Sequence, residues 1–201
     1  MIFLYDKRIM RRIAYLTGFI LFFLTSPLVM AQQEAEALLL IARPQIRGSI
    51  FTESVVLVTR HGRSRPMGVI LNKPSDMMLS TPEAVQSEQR PLNVGGPVSP
   101  QIIVYIFQGS ALAEGRSDML RLGADLFMGM GDAALSSLLQ RKPDLQVRAF
   151  AGLASWAHGQ LENEIARGDW LVLPYDADTV MQTDVANLWK VMLARASQRQ
   201  I

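Results

Sequence analysis

Cysteine is absent from the 201 residues. That excludes disulfides, thiolate metal sites and a lipid-modified cysteine at the start of a mature chain. Histidine is scarce: His61 and His158 are the two present. Neither belongs to H-E-x-x-H or a comparable ligand spacing, so no metal is expected. The G-x-x-x-x-G-K-[ST] phosphate loop is missing as well. Asn72-Lys73-Pro74 resembles part of a guanine-nucleotide motif, but Ser75 stands where that motif needs an acid. It reads as a strand end turned by proline. No internal repeat, low-complexity tract or linker divides the chain, whose length suits one domain with a proper core.

A leader is present. Lys7, Arg8, Arg11 and Arg12 form a basic start, Ile13 to Leu28 is almost unbroken apolar sequence, and Val29-Met30-Ala31 offers compact residues for a signal peptidase. Residues 1–31 are therefore expected to be a signal peptide cleaved after Ala31. The alternatives are an uncleaved membrane anchor, since the run is near the lower limit of roughly 17 to 25 residues for a span, or translation from Met30, which would give a cytosolic protein. Ala14 sits where a twin-arginine signal would carry a bulky apolar residue. The leader holds four of the 20 basic and one of the 18 acidic residues, leaving 16 against 17 and a net charge of −1 for residues 32–201. The high isoelectric point thus belongs to the leader, and the remaining domain has no basic signature for nucleic acid.

Within residues 32–201, Gln32 to Ala37 is polar and helix-compatible. Leu38 to Ile41 starts an apolar run that stops at Ala42-Arg43-Pro44. Strands are expected from Ser54 to Arg60, Met67 to Asn72, Ile102 to Phe107, Asp125 to Met128, Leu145 to Leu153 and Trp170 to Leu173. They are rich in β-branched or apolar residues and bounded by glycine, proline or polar turns. The polar turn His61 to Pro66 joins two of them as a hairpin. Pro74 to Arg90 is polar, with a helical turn at Pro82 to Ser87. Helices are expected at Gly131 to Gln140, capped by Asp132; at Gln160 to Arg167, stopped by Gly168; and after Thr183 or Asp184. In the last, Val185, Leu188, Trp189, Met192 and Leu193 share a face. Strand pairs alternate irregularly with short helices, which favours α+β over a doubly wound parallel sheet.

Three further patterns invite chemistry. Gly129-Met130-Gly131-Asp132-Ala133-Ala134 matches G-x-G-x-x-A between a strand and a helix. The following strand passes through Arg148 without supplying the acid that a dinucleotide site needs, and Asp132 would repel a pyrophosphate. Ser155 and His158 are close in sequence, but no G-x-S-x-G elbow surrounds the serine. Glu162 and Glu164 lie two apart on a helix and point to different faces, a poor geometry for paired carboxylates. Their place near the helix start suits its dipole.

Four segments in order carry a resemblance. They are Leu39 to Pro44 with Phe51 and Ser54-Val55-Val56; His61 with Met67 to Pro74; Val94 to Val98; and Gly152 to Trp156 with Gly159 to Ile165 and Trp170. Over about residues 38–193 the chain resembles the YqgE/AlgH family. The resemblance implies a single α+β domain on a mixed, partly barrel-like sheet with short helices packed outside. It implies no cofactor, and the family carries no agreed biochemical activity. Members often bear a transcriptional label, yet no helix-turn-helix stands in this sequence. Members are usually cytosolic and begin near the Leu-Ile-Ala segment, so the leader is a departure.

With no nucleophile, metal or phosphate constellation, the sequence points to a non-enzymatic binding or regulatory domain outside the cytoplasm. Its partner would be a protein or small molecule and not nucleic acid, with membrane contact only through an uncleaved leader. The proposed contacts are Asn72, Lys73, Gly95, Gly96, Trp156, Gln160 and Glu162, with Trp156 equally suited to the core. The alternatives are a hydrolase using Asn72, Lys73 and a carboxylate, and a cytosolic regulator linked to transcription if Met30 is the start.

Overall fold

The structure is a computed structural model that describes residues 36–60, 64–79, 90–113, 116–123 and 125–198. Gln33–Ile201 form one compact unit. The leader, His61 and the helical turn expected at Pro82 to Ser87 lie outside the described residues.

In chain order the elements are β1 (Glu36–Ala42), β2 (Val55–Arg60), β3 (Met67–Ile70), β4 (Leu92–Val94), β5 (Val98–Gln108), α1 (Ser110–Ala113), β6 (Met119–Arg121), β7 (Leu126–Met130), α2 (Asp132–Arg141), β8 (Val147–Ser155), α3 (Gln160–Ala166), β9 (Trp170–Pro174), α4 (Ala177–Met181) and α5 (Leu188–Gln198). The strands form one sheet in the order β6-β7-β5-β8-β3-β2-β1-β9, with β4 added parallel to β8. Every other pairing is antiparallel. The sheet curls into a half-barrel, so the α+β, partly barrel-like class is the observed one.

The apolar strands lack clean alternation because both faces are covered. On one face Leu39, Ile41, Leu57, Val104, Ile106 and Phe150 pack against Val180, Val185, Leu188 and Met192 from α4, α5 and the turn between them. The opposite face is shared. Over β5, β7 and β8, Tyr105, Phe107 and Phe127 meet Leu135, Leu138 and Leu139 of α2. Over β1 to β3 and β9, Leu40, Val56, Ile70 and Trp170 meet Leu161 of α3 and Trp156. Neighbours such as Leu39 and Leu40 therefore belong to different cores, following the two-residue period of a strand.

Several local expectations are corrected. Glu36 and Ala37 belong to β1 and not to a helical leader, because β1 pairs with β2 from Glu36↔Arg60 onward. Asp132 is the first residue of α2; Gly131, at φ 99°, is its cap, since the chain leaves β7 through a left-handed residue that only glycine adopts without cost. Asp132 instead accepts the Ala133 amide at 2.8 Å. Asp184 precedes α5 by more than a turn, and its carboxylate accepts the Ala186 amide at 3.4 Å.

Candidate functional site

The seven residues expected to make contacts fall in four places. Asn72 and Lys73 follow β3 and hold the 49–54 turn. The Asn72 side chain accepts the Val55 amide at 2.8 Å and donates to the Glu53 carbonyl at 2.9 Å, while Lys73 Nζ donates to the Thr52 carbonyl at 2.9 Å. Glu53 has φ 53°, a conformation that this side-chain clamp sustains. Asn72, Lys73 and Glu53 line a hollow of about 220 Å³ beside Trp189 and Lys190.

Gly95 and Gly96 are buried in a backbone junction. The Ile70 amide donates to the Gly95 carbonyl at 2.8 Å, and the Gly95 amide to the Ala151 carbonyl at 2.9 Å. A Cβ on Gly95 would fall 2.2 Å from the Gly152 carbonyl oxygen, and one on Gly96 2.3 Å from the Leu153 carbonyl carbon. The close approach that these glycines permit is therefore that of another stretch of backbone.

Trp156 is core, 3% exposed. Its indole N–H donates to Glu164 Oε2 at 2.8 Å, and the Trp170 indole donates to the same oxygen at 2.9 Å. Gln160 Nε2 donates to Glu164 Oε1 at 2.9 Å, and Gln160 Oε1 accepts the Ala157 amide at 2.9 Å. Phe51 stacks on Trp156 at 6.2 Å and meets Trp170 edge-on at 5.7 Å. Trp156 and Gln160 thus share one internal knot whose hub is Glu164, a residue whose inward role its place near the helix start did not suggest. Glu162 points away from it, lining an apolar groove of about 290 Å³ with Leu38, Val58, Pro66 and Ile165. Ser155 and His158 are exposed at the end of β8 and the loop beyond.

A larger cleft, about 590 Å³, is lined by none of the seven. Its walls come from β4, the start of β8 and the turn after α4: Arg90, Asn93, Gln146, Gln182, Thr183 and Asp184, with Arg148 as its buried lining. Arg90 is fixed against the α2–β8 loop, donating to the Leu145 and Pro143 carbonyls, each at 2.8 Å. Asn93 donates to the Ala149 carbonyl at 3.3 Å. Arg148 is 4% exposed. It shares a face of β8 with Phe150, and its guanidinium lies 5.1 Å from that ring's centroid. Nη1 donates to the Val180 carbonyl at 2.7 Å and Nη2 to the Leu71 carbonyl at 2.5 Å. No carboxylate pairs with it among the described residues. Burial accordingly pulls its pKa down to about 10, which still leaves it cationic at neutral pH.

Arg148 is not among the contacts expected from the sequence. Its signal was the charge itself: an arginine inside the otherwise apolar run Val147 to Leu153, on the same strand face as Phe150. No group of three metal-ligating side chains occurs among the described residues. No helix among them is long and apolar enough to cross a membrane.

Comparison with known proteins agrees with this fold. A UPF0301 protein of Parabacteroides distasonis is 32% identical over 157 residues, 76% of this chain and 78% of that protein. One from Methylococcus capsulatus is 31% identical over 169 residues, 78% of this chain and 88% of that protein. A crystal structure of a Corynebacterium diphtheriae protein superposes with a TM-score of 0.63 at 26% identity, covering 80% of this chain and 86% of that one. The solution structure of the AlgH protein from Pseudomonas aeruginosa gives a TM-score of 0.61 at 24% identity over 80% and 86% of the two chains, a likeness of fold. Residues 39–200 match the AlgH-like family, DUF179, and the chain belongs to that family.

Proposed function

We propose that this protein is a non-enzymatic ligand-binding domain that acts outside the cytoplasm, and that the cleft over Arg148 is where it binds. The observation that carries the reading is the cleft itself. Its volume of about 590 Å³ lies within the usual range of small-molecule sites, roughly 300 to 1,000 Å³. Its walls converge amide, hydroxyl and guanidinium groups from three elements, groups suited to orienting a ligand, and the carboxylate of the lining, Asp184, is exposed and engages the Ala186 amide. The hollow holding Asn72 and Lys73 supports a hydrolase less well, because the Lys73 ammonium is already bonded to the Thr52 carbonyl. Export is supported by the basic start and the apolar run of residues 13–28.

Each half has its own test. Thr183 is an exposed residue on the cleft wall, so Thr183→Trp fills the mouth without disturbing the core. Affinity selection from a bacterial extract, read by mass spectrometry, should recover small molecules on the wild type that the Thr183→Trp protein does not retain. Identical recovery would contradict the cleft as the site. For location, fractionation and intact mass of a tagged full-length chain should give a periplasmic product starting near Gln32. An unprocessed cytosolic product would return the action to the cytoplasm.

A further inference from the structure

From the reading of this cleft as a ligand site, we infer that its ligand is a small anion, bearing a carboxylate or phosphate group that Arg148 receives. The guanidinium has five N–H groups, and among the described residues the carbonyls of Val180 and Leu71 are its hydrogen-bond acceptors. Donors are left over on a side chain that lines the cleft. Carbonyl oxygens carry partial charge only. They orient the fork but do not neutralise it, and a buried cation without a counter-ion bears an uncompensated desolvation penalty.

A role limited to tying Leu71 to Val180 would be met by a neutral amide without that desolvation. The full charge is explained by something that arrives with the opposite one. The guanidinium fork matches the paired oxygens of a carboxylate or phosphate, and the partly dry setting strengthens the attraction. Arg90 adds a second cation on the wall. Asp184, the acid of the lining, is exposed and engages the Ala186 amide. Asn93, Gln146 and Thr183 supply neutral donors and acceptors for the rest of a metabolite-sized ligand.

Calorimetric titration of the purified protein with inorganic phosphate, with succinate and with succinamide tests this directly. Heteronuclear NMR of the Arg148 Nε–Hε signal reports the same event in the wild type, independent of any variant. At least one anion should bind saturably and shift that signal, and succinamide should do neither. Phosphate without succinate would assign the phosphate class, and the reverse the carboxylate class. Arg148→Lys keeps the charge and loses the fork, so it should weaken binding at least about tenfold. Arg47→Gln, at an exposed position between β1 and β2 that does not line the cleft, should leave it unchanged. No saturable response to either anion, or an equal response in Arg148→Lys, would overturn the inference. Saturable binding of succinamide at Asn93 and Thr183 would overturn the anion class while leaving the cleft a binding site.

Discussion

Glu164 accepts three side-chain donors on two oxygens, and two of those donors belong to tryptophans that are 3% and 4% exposed. Removing the carboxylate strands both indole N–H groups in a dry setting, where each lost partner costs roughly 1 to 3 kcal/mol. Glu164→Ala is therefore expected to lower unfolding stability by about 2 to 4 kcal/mol, with a tryptophan emission change in the native state. Glu164→Gln, which keeps an acceptor oxygen, should lose less. Chemical denaturation followed by fluorescence measures both; equal midpoints for wild type and Glu164→Ala would remove the knot from the account. Part of this was legible in the sequence. Leu161 marks the buried side of α3; Glu164 lies three residues on, beside it on one flank, and Glu162 lies beside Ile165 on the other, where the groove runs. What the period could not supply was the acceptor's partners, since Trp170 reaches Glu164 only after the chain has turned through Gly168 into β9. Arg148 was likewise visible as a charge in an apolar strand, but its carbonyl partners come from residues 77 positions before it and 32 after.

Among the elements, α4 decides whether the cleft exists, for it presents both the Val180 carbonyl and the Met181 to Asp184 wall. It is five residues long, too short for a helical period to show, and it went unread in the sequence for that reason. Its stability comes from Asp176, which accepts the Thr179 amide at 2.8 Å and the Thr179 hydroxyl at 2.9 Å, and pairs with Arg195 of α5 at 3.0 Å. Burial raises the Asp176 pKa, but the Thr179 bonds and the Arg195 charge together outweigh it and hold the carboxyl below the ordinary value of 3.8. A carboxyl depressed on folding stabilises the native state above its unfolded pKa, and that contribution is lost as pH falls through the folded one. Asp176→Asn should consequently melt lower than the wild type at about pH 6, and the two melting temperatures should converge as pH drops below 3.8. A gap independent of pH would mean that the carboxylate charge is not what α4 uses. Both side chains of the pair are more than a third exposed to solvent, so the gap is expected to be modest.

The junction at Gly95-Gly96 is the other element-scale device. It lets the residues after β4 sit between β3 and β8, whose own pairing is confined to Met67↔Ser155 and Gly68↔Ala154. A methyl at Gly96 would meet the Leu153 and Ala154 backbone, which has nowhere to move. Gly96→Ala is expected to cost at least about 2 kcal/mol, against a smaller effect for Gly159→Asn, where a Cβ meets nothing within 4 Å and asparagine tolerates the left-handed conformation. Thermal melts of the two variants compare them directly; an unperturbed Gly96→Ala would show the junction to be looser than drawn. The glycine pair was conspicuous in the sequence, but a turn that admits a ligand and one that admits a neighbouring strand have the same composition.

For the whole molecule, strand positions were readable from composition, whereas strand order was not. β8 lies between β5 and β3 and also receives β4, a neighbourhood set by pairings across 40 or more positions, such as Phe107↔Val147 and Leu92↔Ala149. Local patterns do not encode such partners, and the half-barrel was anticipated through the family resemblance instead. The curled sheet has consequences for binding. One face is sealed by α4 and α5, and at the margin of that seal, between β4, β8 and the end of α4, the polar cleft opens over a buried cation. The measurement that tests this account most directly is backbone amide chemical-shift mapping of the labelled protein during titration with inorganic phosphate and then succinate. Saturable shifts should gather at Asn93, Gln146, Arg148, Gln182 and Thr183, and leave Lys73 and Glu162 unmoved. Shifts scattered over the surface, or centred on the Lys73 hollow, would contradict the assignment of the cleft as the binding site.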